Sequence, residues 1–234
     1  MRYQFVDCRW TLGQPGAGRA AYLAGHIPGA SHLDVDSDLS TPPGPGGRHP
    51  LPSAEDFAAA AGLAGIGAGV FVVVYGTLGG AERLWWLLRH FGHNDCAVID
   101  FESWRGPLSP GAEEIEPQEL VPRERNDDTI SADELAARIG DPSLLVLDAR
   151  MPERYRGEEN PIDRVPGRIP GSANAPFTDP VRVPDAEEIA VYCGSGVTAC
   201  VVIHALARAG RADARLYPGS WSEWEQGGLP LELG

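Results

Sequence analysis

The stretch Val191-Tyr192-Cys193-Gly194-Ser195-Gly196-Val197-Thr198-Ala199-Cys200 decides how this chain folds. The apolar run from Ile189 to Tyr192 predicts a buried strand, and the residues from Val197 to Ala207 predict a helix that ends at Gly210. Cys193 therefore stands where a strand ends and a helix is about to begin. The unpaired N–H groups of a first helical turn, together with the helix dipole, favour an anion at such a place. The pattern predicts a reactive thiolate, and a buried structural cysteine is the alternative.

The composition narrows the class of protein. The chain has 234 residues, 43% hydrophobic and 22% charged, which is enough for one large packed domain or two small ones. Its formal charge of -14 argues against binding to nucleic acid or to an anionic membrane. The four cysteines form no CxxC pair, so neither a zinc site nor a disulfide framework is predicted. The N-terminal residues lack a signal-type apolar core, so we expect a cytoplasmic location.

The two halves of the chain carry the same landmarks in the same order. Asp7-Cys8-Arg9 recurs as Asp148-Ala149-Arg150, and Gly25-His26-Ile27-Pro28-Gly29-Ala30 recurs as Gly167-Arg168-Ile169-Pro170-Gly171-Ser172. The strand that ends at Tyr75 matches the strand that ends at Tyr192. A conserved order of strand, turn and helix indicates the duplication of one α/β unit.

Alternating strands and helices predict an α/β fold with two tandem domains, each a mostly parallel sheet flanked by helices. We place the first domain at residues 1–108, a Pro- and acid-rich linker at 109–128, and the second domain at 129–234. Gly76 aligns with Cys193, so the first domain lacks the sulfur and the second is predicted to be catalytic. Ligands of open α/β sheets bind at the carboxyl ends of the strands, where Cys193 stands. Residues 41–50 are too rich in Pro and Gly for regular structure.

These motifs resemble the tandem-domain rhodaneses, a family of sulfurtransferases, over nearly the whole chain. The loop from Cys193 to Ala199 is similar to that of 3-mercaptopyruvate sulfurtransferases, whereas thiosulfate-preferring members carry basic residues in place of Gly194 and Ser195. The resemblance implies that Cys193 takes a sulfane sulfur from a small-molecule donor as a persulfide. A thiol, cyanide or a thioredoxin-like protein then accepts the sulfur, with no cofactor and no metal.

The resemblance also implies roles for other residues. The loop would hold the persulfide anion with N–H groups of four residues: Gly194, Gly196, Val197 and Thr198. Arg154 and Arg164 would bind the donor's anionic group, Ser195 and His26 would assist catalysis, and Trp10 and Phe177 would line the pocket. His26 could instead only fasten its own turn, because no acidic residue between Trp10 and Gly25 completes a triad with it.

Other functions remain open at this stage. The preferred donor is 3-mercaptopyruvate, and a thiosulfate:cyanide sulfurtransferase is the alternative. A cysteine phosphatase also holds an anion at a helix N-terminus, but its loop normally ends in an arginine that is absent between Cys193 and Ala199. A non-catalytic sulfur-relay module is disfavoured by the joint presence of Cys193, Ser195 and Arg154.

Overall fold

A computed structural model describes residues 2–158 and 162–233 of the chain, which divide into two compact units. Unit 1 comprises Met1–Thr41 and Leu51–Arg125, and unit 2 comprises Pro42–Pro50 and Asn126–Gly234. The elements of unit 1 are β1 (Arg2–Cys8), α1 (Ala17–Ala24), β2 (Ser31–His32), α2 (Ala54–Leu63), β3 (Val70–Gly76), α3 (Gly80–His90) and β4 (Cys96–Val98). The elements of unit 2 are α4 (Ala132–Ala137), β5 (Leu144–Asp148), α5 (Pro152–Tyr155), β6 (Ala173–Asn174), β7 (Glu188–Tyr192), α6 (Ala199–Arg208), β8 (Arg215–Leu216) and α7 (Ser220–Gln226).

Each unit contains a four-stranded parallel sheet. The strand order is β2-β1-β3-β4 in unit 1 and β6-β5-β7-β8 in unit 2. Parallel neighbours need crossover connections, and α3 and α6 supply them on leaving the central strands β3 and β7. The predicted fold class, with two tandem parallel-sheet domains flanked by helices, is confirmed.

The duplication extends to single hydrogen bonds. In unit 1 the Arg9 side chain donates to Asp7 and to the Gly25 carbonyl, the latter at 2.7 Å. In unit 2 Arg150 donates to Asp148 and to the Gly167 carbonyl, also at 2.7 Å.

The tyrosine that ends each central strand shows the same correspondence. Tyr75 lies opposite Asp7 in its sheet, and Tyr192 lies opposite Asp148. Each tyrosine hydroxyl accepts the N–H of the isoleucine in the recurring Ile-Pro-Gly turn at 3.1 Å. The two sheets therefore share the register between the Asp-x-Arg strand and the central strand, in keeping with the repeat in the sequence.

Serine side chains begin a helix in each unit. Ser53 Oγ accepts the N–H of Asp56 at the start of α2, and Ser131 Oγ accepts the N–H of Glu134 at the start of α4, both at 3.1 Å. Both contacts satisfy an N–H group that has no partner within its helix.

The core of unit 2 lies beneath the strand that leads to Cys193. It consists of buried side chains from α4, from the strands, from the Ile-Pro-Gly turn, from α7 and from residues next to these elements: Ile130, Leu135, Leu144, Val146, Ile169, Ala190, Tyr192, Tyr217, Trp221 and Trp224. Packing on this scale fixes the end of β7 and the loop after it, since protein interiors are close-packed.

The position in unit 1 that corresponds to Cys193 has no space for a side chain. A Cβ atom on Gly76 would lie 2.7 Å from the Cys8 carbonyl oxygen and 2.9 Å from the Ala81 nitrogen. Both neighbours are backbone atoms, so neither can rotate away. Unit 1 therefore has neither the sulfur nor the room for a side chain at this position.

Residues 42–50 belong to unit 2 although unit 1 flanks them on both sides in the sequence. Gly47 (φ +98°) lies so close to the start of α7 that a Cβ atom there would be 2.6 Å from Ser222 Oγ and 2.7 Å from the Gly219 carbonyl oxygen. The next residue, Arg48, donates its N–H to Ser222 Oγ at 3.0 Å. We call residues 42–50 the strap.

Among the described residues, we find no helix with the length and apolar character needed to cross a membrane.

Candidate active site

Cys193 follows the last residue of β7, and its backbone is fixed on both sides. Its N–H donates to Ser220 Oγ at 3.1 Å, and its carbonyl accepts the N–H of Trp221 at 3.0 Å. Ser220 has a left-handed backbone (φ +52°), which is unusual for a residue with a side chain. The segment at the start of α7 thus holds the end of β7 in place.

The loop after Cys193 turns a backbone N–H toward the sulfur. The N–H of Gly196 donates to Cys193 Sγ at 3.2 Å, and Gly196 has a left-handed backbone (φ +78°). α6 begins at Ala199, with Thr198 as its N-cap. Cys193 is 1% exposed as a residue, and the Gly196 N–H gives its sulfur a polar partner that stabilises negative charge. Of the four residues predicted to hold the persulfide, Gly196 makes the contact with the sulfur.

Two other cysteines are held as thiols. Burial, followed by the charge of Asp7, raises the pKa of Cys8 well above its ordinary value. Burial also raises the pKa of Cys96 to about 12. Neither side chain is therefore a competing nucleophile near neutral pH.

Gly194 is required for space. A Cβ atom there would lie 2.7 Å from Arg48 Nη2 and 2.9 Å from Arg154 Nη2. Arg48 Nη2 also donates to the Gly194 carbonyl at 3.0 Å. Two guanidinium groups thus approach the backbone of the residue next to Cys193.

Asp163 joins these arginines. Its side chain is 1% exposed and accepts from Arg154 Nε at 3.1 Å and Nη2 at 2.5 Å. Arg48 Nη1 is 3.1 Å from its Oδ1, and Arg150 Nη1 is 3.5 Å from its Oδ2. Although burial acts to lower the pKa of Arg150, Asp148 and Asp163 raise it above its ordinary value. The cluster of three arginines and two aspartates, Arg48, Arg150, Arg154, Asp148 and Asp163, carries one net positive charge.

Ser195 is paired with a histidine of the strap. His49 Nδ1 lies 2.7 Å from Ser195 Oγ, and both residues are buried. His26, for which the sequence analysis left open either this role or the fastening of its own turn, uses its ring nitrogens inside unit 1. They contact the Tyr22 carbonyl at 2.9 Å and Glu113 Oε1 at 3.2 Å, and the ring stacks on Tyr22. We therefore replace His26 by His49 in the candidate site.

The structure places the remaining predicted residues as follows. Arg164 is exposed, and its neighbour Asp163 is the residue that reaches the arginine cluster. Phe177 is half-buried beyond β6, and its N–H donates to the Ala149 carbonyl at 3.1 Å. Trp10 is buried in unit 1, where its backbone pairs with the Thr77 hydroxyl.

The described part of the chain holds no group of three or more His, Cys, Asp or Glu side chains arranged to bind a metal ion.

Sequence reasoning missed Arg48, His49 and Asp163. Arg48 and His49 stand in the strap, 146 residues from Gly194 and Ser195. A signal was available in the sequence: an arginine and a histidine stand next to each other in the strap, a stretch predicted to be irregular. Loops on a rigid scaffold often carry functional residues.

Comparison with known proteins shows the family of the chain. The model of the Rhodanese-like domain matches residues 1–106 and 131–227. The human 3-mercaptopyruvate sulfurtransferase is 34% identical, over 98% of this chain and 87% of the human protein. SseB of Mycobacterium tuberculosis, which carries the name of a thiosulfate sulfurtransferase, is 37% identical over 94% of this chain and 86% of its own length.

A solved structure shows the same arrangement. The crystal structure of SseA from Escherichia coli, which represents the rhodanese fold of 3-mercaptopyruvate sulfotransferases, superposes with a TM-score of 0.80 at 31% identity. The match covers 94% of this chain and 93% of SseA. Two rhodanese-like domains with a cysteine loop after the central strand of the second define the class of protein. The chain belongs to the rhodanese family, among its two-domain sulfurtransferases.

Proposed function

We propose that this sulfurtransferase moves a sulfane sulfur from 3-mercaptopyruvate to a thiophilic acceptor through a Cys193 persulfide, with thiosulfate as the alternative donor. The observation that carries the proposal is the Gly196 N–H on Cys193 Sγ at 3.2 Å, in a loop flanked by the Arg154 guanidinium. Preorganised N–H donors stabilise an anion formed at a fixed point, and a persulfide is such an anion.

The first half-reaction needs a nucleophile and a leaving group. The Cys193 thiolate attacks the donor sulfur, a Cys193 sulfur–sulfur bond forms, and the carbon–sulfur bond of 3-mercaptopyruvate breaks. The electron pair of that bond leaves on the pyruvate enolate, which takes up the proton of the donor thiol to give pyruvate. Arg154, with a net positive cluster behind it, would hold the donor carboxylate, since guanidinium and carboxylate pair bidentately.

Ser195 and His49 are suited to move that proton. With the tautomer that keeps Nδ1 unprotonated, the Ser195 hydroxyl donates to His49 at 2.7 Å, so the pair can pass a proton between donor and enolate. Thiosulfate has no such need, because sulfite leaves with the electron pair as a stable anion and does not have to be protonated during the transfer. The pair therefore favours 3-mercaptopyruvate as the donor.

In the second half-reaction the acceptor attacks the outer sulfur of the persulfide. A small thiol, cyanide or a thioredoxin-like protein would serve, and the thiolate of Cys193 is regenerated. We assign both half-reactions to the second domain, residues 129–234 with the strap added, and a supporting role to the first domain, residues 1–108.

Intact-mass measurement tests the proposal. Exposure to 3-mercaptopyruvate should add one sulfur atom to Cys193, and cyanide should remove it and yield thiocyanate. Peptide mapping locates the added sulfur, with Cys200→Ser as the matched control that keeps Cys193. An unmodified Cys193, or hydrolysis of a phosphate ester with no added sulfur, would reject a sulfurtransferase mechanism and favour a cysteine phosphatase.

A further inference from the structure

We infer that unit 1 holds a ligand site of its own, which binds an α-amino acid with an apolar side chain. The site is a pocket lined by α1, β2 and α2, together with residues from the segments 33–38 and 112–115. We call it the unit 1 pocket. All of its lining residues belong to unit 1, so the inference goes beyond sulfur transfer at Cys193 and does not depend on it.

The unit 1 pocket has the size and the wall of a small-molecule site. Its volume is about 330 Å³, at the lower end of the ~300–1,000 Å³ found for ligand pockets. Apolar side chains form part of its lining: Leu33, Ala60, Leu63, Ala64, Ala112 and Ile115. Leu63 is 68% exposed, so an apolar group bound against it would remove that surface from water, which is favourable.

Arg19 brings a positive charge to this pocket that is not neutralised within the described part of the chain. Its guanidinium lies over the Tyr22 ring, 5.5 Å from the ring centroid, and forms no ion pair with a described residue. Arg19 is exposed, so a ligand can reach it. A guanidinium pairs with a carboxylate through two parallel hydrogen bonds, which makes a carboxylate the natural partner for Arg19.

Two carboxylates line the same pocket, and each keeps oxygen lone pairs for a further donor. Glu113 accepts the Gly29 N–H at 2.9 Å and pairs with His26 at 3.2 Å, and both contacts use its Oε1. Asp38 accepts the Asp34 N–H on its Oδ2 at 2.8 Å. An ionised carboxylate has about four lone-pair positions, so both groups can also accept hydrogen bonds from an ammonium group of a ligand.

His32 adds a polar atom to the wall of the pocket. Its Nε2 is buried and has no hydrogen-bond partner among the described residues, whereas the residue as a whole is half-buried. Most buried polar side-chain atoms of native proteins have a partner, so this nitrogen favours a bound molecule with a polar group at that wall. Burial lowers the pKa of His32 below its ordinary value of 6.5, so the ring adds no charge at neutral pH.

The signs of these charges select the class of ligand. The carboxylate of an α-amino acid pairs with Arg19, its ammonium group pairs with Asp38 and Glu113, and its apolar side chain packs on Leu63. A carboxylic acid without the amine would be repelled by the two carboxylates, and an amine without the carboxylate would leave Arg19 unpaired. A small zwitterion therefore complements all three charged groups at once.

Isothermal titration calorimetry of the full chain with L-leucine and with L-methionine tests the inference. Both amino acids should bind the wild type. Two analogues of leucine separate its charges: 3-methylbutylamine lacks the carboxylate, and 4-methylpentanoate lacks the amine. Each analogue should bind at least about tenfold more weakly than L-leucine, equal to ~1.4 kcal/mol.

Variants locate the binding in the unit 1 pocket. Arg19→Ala should weaken L-leucine binding at least about tenfold, and Arg19→Lys, which keeps the charge without the planar fork, should lose less. Ala60→Trp, which fills the pocket, should abolish binding. The matched control Arg105→Ala removes another exposed arginine of unit 1, which donates to the Glu102 carbonyl and does not line the pocket, and should bind L-leucine like the wild type.

Three results would overturn the inference. They are a wild type that binds neither amino acid, analogues that bind as well as L-leucine, and an Arg19→Ala variant with the wild-type affinity for L-leucine. The titrations contain no sulfur donor, so none of these results bears on the Cys193 persulfide. If Ala60→Trp does not accumulate as a folded protein, the comparison of Arg19→Ala with Arg105→Ala, both at exposed positions, decides the location of the site.

Discussion

Replacing Asp163 by asparagine should destabilise the chain and weaken donor binding at the same time. The substitution keeps the shape of the side chain and removes the charge that Arg154 and Arg48 share. Its amide NH2 group would face a guanidinium, so a favourable contact becomes a repulsive one. Arg150 would keep Asp148, which already holds it through several hydrogen bonds.

The size of the effect follows from burial. Removing one partner of a buried ion pair costs ~3–5 kcal/mol. The Arg154 and Arg48 side chains are 17% and 24% exposed, so water can replace part of what they lose. We therefore expect Asp163→Asn to lower the free energy of unfolding by about 2–3 kcal/mol. The guanidinium groups of Arg154 and Arg48 should also become more mobile once Asp163 no longer holds them. Because they are then less well positioned to bind the donor, the KM for the donor should increase.

Urea unfolding followed by tryptophan fluorescence measures the first effect, and steady-state kinetics with 3-mercaptopyruvate measures the second. Asp213→Asn is the matched control, because Asp213 pairs with Arg211 at the surface with 54% of its side chain exposed. Surface pairs contribute ~0–1 kcal/mol, so the control should change little. Equal losses in the two variants would refute the account of Asp163 as the carboxylate that holds the arginine cluster.

Three further outcomes are expected. Cys193→Ser should abolish sulfur transfer while circular dichroism and the thermal midpoint stay those of the wild type; residual transfer would mean that another sulfur is the carrier. Ser195→Ala should lower kcat with 3-mercaptopyruvate by about 10²–10⁴-fold and change kcat with thiosulfate much less, because only the first reaction needs proton transfer; equal losses would argue against a proton relay. Hydrogen bonds from the Gly29 N–H and, next in size, from His26 lower the pKa of the Glu113 carboxyl below its ordinary value of 4.5. The charged carboxylate therefore stabilises the folded chain above pH 4.5, and this stabilisation is lost as the pH falls through the lowered pKa. The difference in unfolding free energy between wild type and Glu113→Gln should thus shrink below pH 4.5, and a difference that does not vary with pH would contradict this contact.

Local patterns were sufficient to predict the fold. Three local signals predicted β7, the Cys193 loop and α6: a continuous apolar run, a glycine turn after it, and a helical periodicity after the turn. Each signal lies within a few residues of sequence. The repeat of Asp-x-Arg and of the Ile-Pro-Gly turn gave the two sheets, since both units use those residues for the same hydrogen bonds.

The site was predicted only in part, because its missing members depend on tertiary contacts. The sequence analysis left His26 between a catalytic role and a role in fastening its own turn, and Tyr22 and Glu113 contact both of its ring nitrogens. His49 stands in a stretch whose composition predicts irregular structure, and nothing within it indicates a partner 146 residues away. Arg164 and Asp163 are adjacent, and the local sequence does not tell which of the two turns inward.

Because of the strap, the second repeat is not a self-contained segment of the sequence: part of unit 2 is encoded within the first half. A polypeptide cut before Asn126 would inherit the cysteine, its loop and Asp163, but not the arginine and histidine at positions 48 and 49. Recombination that exchanges the second half of the chain between two relatives would likewise combine the Cys193 loop of one parent with the strap of the other. The candidate site is therefore encoded in both halves of the gene, even though Cys193 itself is encoded in the second half.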